Sequence, residues 1–391
     1  MLNCQKDLFQ LDKQACFLNC AYMSPQLKSV EAAGAHALTR KNKPQLVKPE
    51  HFFEELQGVK RNFAKIIHTP EPDRIAFIPS VSYGIATVAK NLPLKAGQEI
   101  ILPVDQFPSN YYSWKRLADE RGATLKVVGV EEGPNKGKRW NAAILDAIDS
   151  QTAVLAISHV HWAEGVLFDL VAMRDKTEQY NAWLVVDGTQ SVGALPFDVA
   201  RIRPDALICA AYKWLMGPYS TALAYYGPRM DGGVPIEENW INRKDSHNFR
   251  NLVNYQEEYQ PLAGRYCVGE QSNFMLLPML ETALQQINAW EVERIQAYCQ
   301  ELNAPFLEEL SALGYHILPE DQRAHHLLGI SLPQGLKMET IQRELAAKNI
   351  TVSVRGQSIR IAPNVYNNRT DWEKLMKILR QVVNTKPALQ V

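Results

Sequence analysis

The chain has 391 residues, of which 46% are hydrophobic and 21% charged, with basic and acidic residues in equal number. That length suits one large domain with a smaller one beside it, and the neutral balance gives no reason to expect nucleic acid or a charged membrane surface as a partner. No apolar run approaches the roughly 20 residues that span a bilayer, and the N-terminus MLNCQKDLFQLDKQ lacks the apolar core of a signal peptide. The six cysteines show no framework spacing, so a cytoplasmic protein with reduced thiols is expected.

Residues 16 to 25, CFLNCAYMSP, read as a short extended piece ending in a turn; Cys16 and Cys20 lack the second pair that a metal site needs. From 27 to 66 the pattern is helical, with Phe52, Phe53, Leu56, Val59 and Phe63 at helical spacing. Residues 74 to 78 form a short strand, followed by Pro79-Ser80-Val81-Ser82-Tyr83-Gly84 and an apolar helix. A small polar turn between strand and helix is where N-terminal amides bind a phosphate, and equally where a plain N-cap sits. Ile100 to Val104 is the next strand and leads into Asp105-Gln106-Phe107-Pro108-Ser109-Asn110.

Gly133 to Arg139 looks like a nucleotide-binding loop, but its glycine spacing is one short and Arg139 stands where Ser or Thr should hold magnesium. A basic surface turn is expected instead. Ala153 to Ser158 is a strand running into His159-Val160-His161-Trp162-Ala163-Glu164-Gly165, whose histidine and glutamate spacing is not a common metal-site pattern. No metal is expected.

Trp183-Leu184-Val185-Val186 is an apolar run that stops at Asp187, and Ala206 to Ala211 is a second that stops at Tyr212-Lys213. Both read as buried strands of a parallel sheet, and ligands bind beyond the carboxyl ends of such strands. One strand thus delivers a carboxylate to that edge and the other a lysine. A lysine at a strand end suits a Schiff base, and pyridoxal 5′-phosphate (PLP) pairs such a lysine with an acidic partner for its pyridinium nitrogen.

Residues 239 to 243 and 265 to 274 are polar and aromatic loops, and a helical pattern through Leu284, Ile287, Ile295, Tyr298 and Leu302 follows. Segments 315–318, 326–332, 350–354 and 358–362 read as short strands, Met338 to Lys348 and Asp371 to Val383 as helices. Thr370 with Glu373 suggests a capping box for the last helix. In strand 358–362, Ile359 and Ile361 share one face, so Arg360 points the other way. Residues 384 to 391 look like a frayed tail.

The stretches VVDGTQSVGALPFDV and AAYKWLMGPYS resemble the class V aminotransferase family of fold-type I PLP enzymes, which includes cysteine desulfurases and kynureninase. The resemblance runs from about residue 16 to 383. It implies an α/β fold: a large PLP-binding domain over 16–283 with a mixed, mostly parallel seven-stranded sheet, and a small α+β domain from 1–15 and 284–391. It also implies a homodimer. By the same resemblance Lys213 carries the Schiff base, Asp187 pairs with the pyridine nitrogen and Gln190 contacts the ring hydroxyl. Val81, Ser82 and Tyr83 hold the phosphate, Phe107 stacks on the ring and the Tyr212 hydroxyl reaches the phosphate. Arg360, in VRGQSIRIAPNVYN, holds the substrate carboxylate, with Arg355 a weaker candidate; Asn19, Ala21 and Tyr22 are candidates for the substrate pocket.

Three departures matter. The family often has an asparagine near Trp162, and its absence offers His161 as a pocket residue. Ala210 replaces a phosphate-binding serine. Glu270 sits where relatives use a threonine to reach the partner's site, which shifts that contact to Gln271 or Ser272.

What the resemblance implies chemically is an amino acid exchanging with Lys213 on the cofactor, after which the freed lysine takes the Cα proton. Desulfurases take sulfur on a cysteine just before the C-terminal arginine element. Residues 350 to 360 contain none, and the last cysteine in the chain is Cys299, so efficient desulfurase turnover is not expected. Transamination of a small amino acid is the leading expectation. A lyase such as selenocysteine lyase, an epimerase, a kynureninase-like hydrolase, and a non-catalytic binding protein that kept the fold stand as alternatives.

Overall fold

The computed structural model describes residues 2–12 and 14–384. It begins with a two-residue strand, β1 (Cys16–Phe17), and two helices, α1 (Lys28–Thr39) and α2 (His51–Ile66). Strands and helices then alternate as β2 (Ile75–Ile78), α3 (Val81–Asn91), β3 (Glu99–Pro103), α4 (Tyr112–Arg121), β4 (Thr124–Val128) and α5 (Lys136–Ala147). The alternation continues with β5 (Thr152–Ser158), α6 (Leu170–Gln179), β6 (Trp183–Asp187), the short α7 (Val199–Ile202), β7 (Ala206–Ala210) and β8 (Ala222–Tyr226).

Seven of these strands make one sheet in the order β2-β8-β7-β6-β5-β3-β4. Only β8 runs antiparallel to its neighbours, so the sheet is mixed and mostly parallel, as the family resemblance implies. Every residue of β5, β6, β7 and β8 is buried. A parallel sheet covered by helices on both faces has no polar face, which is why these strands read as continuous apolar runs. Polar side chains fix where the helices begin. Ser80 Oγ accepts the Tyr83 N–H to open α3, and Asp169 Oδ1 accepts the Ala172 N–H (3.1 Å) to open α6.

The chain then forms α8 (Leu276–Trp290), which packs on α1 and α2, and the long α9 (Val292–Ala312). These lead to β9 (His316–Ile317), β10 (Leu328–Ser331), α10 (Met338–Ala346), β11 (Ile350–Thr351), β12 (Ser353–Arg355), β13 (Ser358–Ile361) and α11 (Arg369–Asn384). A four-stranded antiparallel sheet runs β12-β13-β10-β9, and β1 pairs in parallel with β11. A second core gathers Phe306, Leu310, Ile330, Ile359, Ile361 and Trp372, together with Cys16 and Leu18 from the N-terminal segment. Phe306 and Trp372 stack with centroids 5.3 Å apart. The first core reaches past α8 to Val292 and Ile295.

Two local expectations are corrected. Residues 133 to 139 are not a surface turn: Lys136 is buried at the start of α5, paired with Glu132 and Glu164. The box that opens α11 lies two residues earlier than Thr370 and Glu373. Asn368 Oδ1 accepts the Asp371 N–H and Asp371 Oδ2 accepts the Asn368 N–H, each at 3.2 Å. Of the expected frayed tail, Asn384 ends α11 and residues 385–391 lie outside the described residues.

Candidate active site

Because β2 and β7 both pair antiparallel with β8, they are parallel to each other. The carboxyl ends of β2, β3, β5, β6 and β7 therefore lie on one edge of the sheet. The segments that leave those ends, with the turn that enters β8, line a cleft of about 330 Å³.

Lys213 follows β7 in a turn closed by the Ala211 N–H to Thr221 O (3.0 Å) and the Gly217 N–H to Ala211 O (2.9 Å). Its side chain is 6% exposed. Nζ lies 5.4 Å from the centroid of the Phe107 ring and 5.5 Å from that of Tyr212. Burial pulls the ammonium down to about 8 against the attraction of Asp187, and the nearby charges of Arg360 and Arg355 push the same way as burial. Asp187 ends β6 and is also buried. Burial raises its carboxyl above the usual range, opposed by hydrogen bonds from Thr189 and the charge of Lys213.

Thr189 was not picked out from the sequence. Its N–H donates to Asp187 Oδ1 (2.9 Å) and its Oγ1 accepts the Ala210 N–H (3.1 Å), so it ties the ends of β6 and β7 together. Gln190 lines the cleft with its amide already oriented: Nε2 donates to Ala21 O (3.1 Å) and Oε1 accepts from Trp214 Nε1 (2.9 Å). Its carbonyl accepts from Nε2 of the buried His326 (2.7 Å), whose Nδ1 accepts from Gln296 (2.9 Å).

At the N-terminus of α3, Val81 and Ser82 line the cleft with Ser80. Tyr83 does not: its N–H is taken by the Ser80 cap (3.2 Å) and its hydroxyl is turned to Glu237. Ser80 and Ser82 hydroxyls lie 2.9 Å apart. Phe107 stands edge-to-face with Trp162 (5.3 Å, 81°), and both line the cleft. Tyr212, also in the lining, packs on Tyr219 with centroids 4.6 Å apart.

His161 lies behind this wall. It is fully buried against Trp140 (4.9 Å), its Nε2 is 3.3 Å from Asp105 O, and its Nδ1 accepts the Glu164 N–H (3.4 Å). Burial pulls it down to about 4, so it is neutral. The neighbouring Trp162 is the residue that faces the cleft, held by Nε1 donating to Asp105 O (2.6 Å). Tyr22 is 57% exposed and outside the cleft lining.

Arg360 sits beside the cleft rather than in its wall. It is 1% exposed, donates to Trp162 O (2.8 Å) and Ser353 Oγ (3.3 Å), and its Nε has no partner. Burial and then Arg355 push it down to about 9. The connection from β12 to β13 is a two-residue turn, Gly356-Gln357, because Arg355 pairs with Ser358. Ser158 Oγ and Gln106 Nε2 also line the cleft, buried and without partners. Buried polar atoms are nearly always satisfied, so these donors are open to a bound group.

The parts present fit PLP: a buried lysine of lowered pKa, a buried carboxylate, a helix N-terminus with two hydroxyls for an anion, an aromatic wall, and unpartnered buried donors. The sheet order, the single antiparallel strand and the lysine at a strand end are those of a fold-type I PLP enzyme. Residues 39–380 match the aminotransferase class-V family, and the chain belongs to it; PLP is its cofactor. Among curated relatives, an uncharacterized aminotransferase YcbU of Bacillus subtilis is 24% identical, with 81% of each chain covered. Isopenicillin N epimerase of Amycolatopsis lactamdurans is also 24% identical, over 80% of this chain and 81% of that one. Among solved structures, the cysteine desulfurase CsdA of Escherichia coli superposes with a TM-score of 0.81 at 16% identity, covering 98% of both chains. A cystine C-S lyase in complex with cysteine persulfide superposes at 0.82 with 18% identity, over 96% and 99%. No described helix is long and apolar enough to cross a membrane, and no group of three metal-ligating side chains occurs among the described residues.

Proposed function

We propose that the enzyme transaminates a small amino acid, as a homodimer in the cytoplasm. The observation that carries this reading is the placement of Lys213 and Asp187 on adjacent strand ends of one cleft, beside the buried Arg360, which has no acidic partner among the described residues. When bound, PLP supplies an aldehyde for the substrate amine and an electron-accepting ring.

The chain's own residues do the rest. With its pKa near 8, Lys213 has an appreciable neutral fraction at physiological pH, so Nζ is able to hold the aldehyde and then to take and return the Cα proton. Asp187 keeps a proton on the ring nitrogen. The free N–H groups of Val81 and Ser82, with the Ser80 and Ser82 hydroxyls, hold the phosphate; the Tyr212 hydroxyl adds a donor. Phe107 covers the ring, and Gln190 has one amide hydrogen left for the ring hydroxyl. Arg360 offers its unpartnered Nε–H to the substrate carboxylate. The tight hairpin at Gly356-Gln357 leaves no mobile cysteine-bearing loop before Arg360, which supports a reaction other than desulfuration.

The test is optical. Purified protein should absorb in the visible, and borohydride should fix the cofactor on Lys213. Titration with an amino acid panel should convert the visible band to the pyridoxamine form. Persistence of the visible band with every donor would remove transamination and leave a lyase, epimerase, hydrolase or binding role.

A further inference from the structure

We propose that the cleft takes a short dicarboxylic amino acid, with Arg360 holding its backbone carboxylate and Arg355 its side-chain carboxylate. This rests on the reading above that the cleft transforms an amino acid, and it names the substrate class.

The β12–β13 register pairs Ser353 with Arg360 and Arg355 with Ser358. Directly paired residues share a face, and so do residues two apart along a strand. Arg355 and Arg360 therefore project from the same face of the hairpin as diagonal neighbours, a spacing of roughly 7–8 Å between backbones. The two-residue turn holds that spacing. Both guanidinium groups converge on Trp162, a wall of the cleft: Arg360 Nη1 donates to its carbonyl (2.8 Å), and Arg355 lies 5.5 Å from its ring centroid.

Neither arginine forms an ion pair among the described residues, although the two repel each other and both bear on Lys213. Two other buried guanidinium groups have a carboxylate in contact. Arg174 meets Asp205 at 2.9 Å and Arg74 meets Asp231 at 2.7 Å. Arg323, without a carboxylate in contact, gives its donors to the carbonyls of Leu318 and Ala324. What separates Arg360 is the missing carboxylate: its buried Nε lacks a hydrogen-bond partner, as those of Arg74, Arg174 and Arg265 do, but no acid stands beside it among the described residues, and Arg355 donates to its own neighbour, Val354 O. One substrate carboxylate offsets the charge of Arg360 and leaves Arg355 unopposed; two carboxylates at this spacing offset both. The cleft, about 330 Å³ and shared with the cofactor, favours a compact substrate.

The test compares each acid with its isosteric amide in single-turnover conversion of the holoenzyme's visible band: aspartate against asparagine, glutamate against glutamine. The preferred acid should exceed its amide in kcat/KM by at least about tenfold, ~1.4 kcal/mol. In Arg355→Gln that ratio should fall toward one, whereas Arg360→Gln should depress acid and amide together. Equal rates for acid and amide in the wild type, or a ratio that survives Arg355→Gln, would overturn the proposal. Calorimetric binding of succinate against succinamate to the holoenzyme gives a readout without turnover. If no amino acid converts the band, transamination fails and this arm decides alone: tighter succinate binding that Arg355→Gln erases upholds the second carboxylate site, and equal binding rejects it.

Discussion

Thr189 holds the Asp187 carboxylate through its N–H at 2.9 Å while its hydroxyl oxygen takes the Ala210 N–H at 3.1 Å. Both contacts are buried, and hydrogen bonds to the charged form of an acid lower its pKa. Thr189→Val keeps the shape and removes the hydroxyl. The Ala210 N–H then loses its acceptor, which should cost about 1–3 kcal/mol in chemical denaturation. The Asp187 carboxyl, already raised by burial, also loses the Thr189 hydroxyl hydrogen bond that opposes that rise and should rise further. The acid limb of the activity profile should therefore move to higher pH, and Thr189→Ser should restore it.

Lys213 gives a second prediction, for the cofactor-free protein. Its folded pKa of about 8 lies below the unfolded 10.5, so between those values the unfolded chain binds more protons and stability rises with pH. Below pH 8 the buried ammonium costs on the order of 3 kcal/mol. Lys213→Met should be more stable than the wild type at neutral pH, and the difference should vanish as pH approaches 10.5. The rate of PLP capture by the wild type should rise with a midpoint near pH 8, since only the neutral amine attacks the aldehyde. Stopped-flow absorbance against pH reads that midpoint, and a midpoint near 10.5 would contradict it.

The strand ends carrying Asp187 and Lys213 were legible because fully buried parallel strands leave apolar runs that stop abruptly, and the stop is where function lies. Phe107, Ser82 and Gln190 are assigned by resemblance to the family, and all three line the cleft. Counting along the chain fails where direction depends on a contact from elsewhere. His161 and Trp162 are adjacent in the segment that leaves β5, and Asp105 and Trp140 decide that the histidine turns inward. Tyr83 is one residue beyond the amides free to bind an anion because Ser80 caps it. Thr189 acts across strands, through the Ala210 N–H, and Ser158 and Gln106 are marked only by buried polar atoms left without partners, so their neighbours in sequence give no sign of them. The capping box of α11 misled for a different reason: two overlapping polar patterns, offset by two residues, both satisfy the rule.

Three buried histidines set the acid limit of the fold. Burial lowers His159 to about 3 and His161 and His326 to about 4, all from 6.5. In the unfolded chain they protonate near 6.5, so stability should fall as pH drops from there toward 4, by on the order of 3 kcal/mol for each residue. His159 is the one to remove, because its Nδ1 has no hydrogen-bond partner and its ring already stands edge-to-face with Phe197. His159→Phe should lower proton uptake on acid unfolding by about one, seen as a shallower slope of unfolding free energy against pH. An unchanged slope would mean that His159 is already charged in the fold.

Gly165 shapes the loop that carries Trp162. Its φ is +78°, and a Cβ built there would lie 2.5 Å from the carbonyl oxygen of Leu327. The left-handed backbone alone costs a side chain about 1–2 kcal/mol, and the contact with backbone cannot be relieved by a rotamer change. Gly165→Ala should therefore shift the loop or destabilise the fold. The shift is directed, because the Gly165 N–H donates to His161 O (2.9 Å) and Trp162 meets Arg360 through its carbonyl. A displaced Trp162 loosens Arg360 before it disturbs Lys213, which stands on a different strand. The expected result is a raised KM for the amino acid with the visible cofactor band intact. Loss of the band with KM unchanged would place the loop's influence on the cofactor instead.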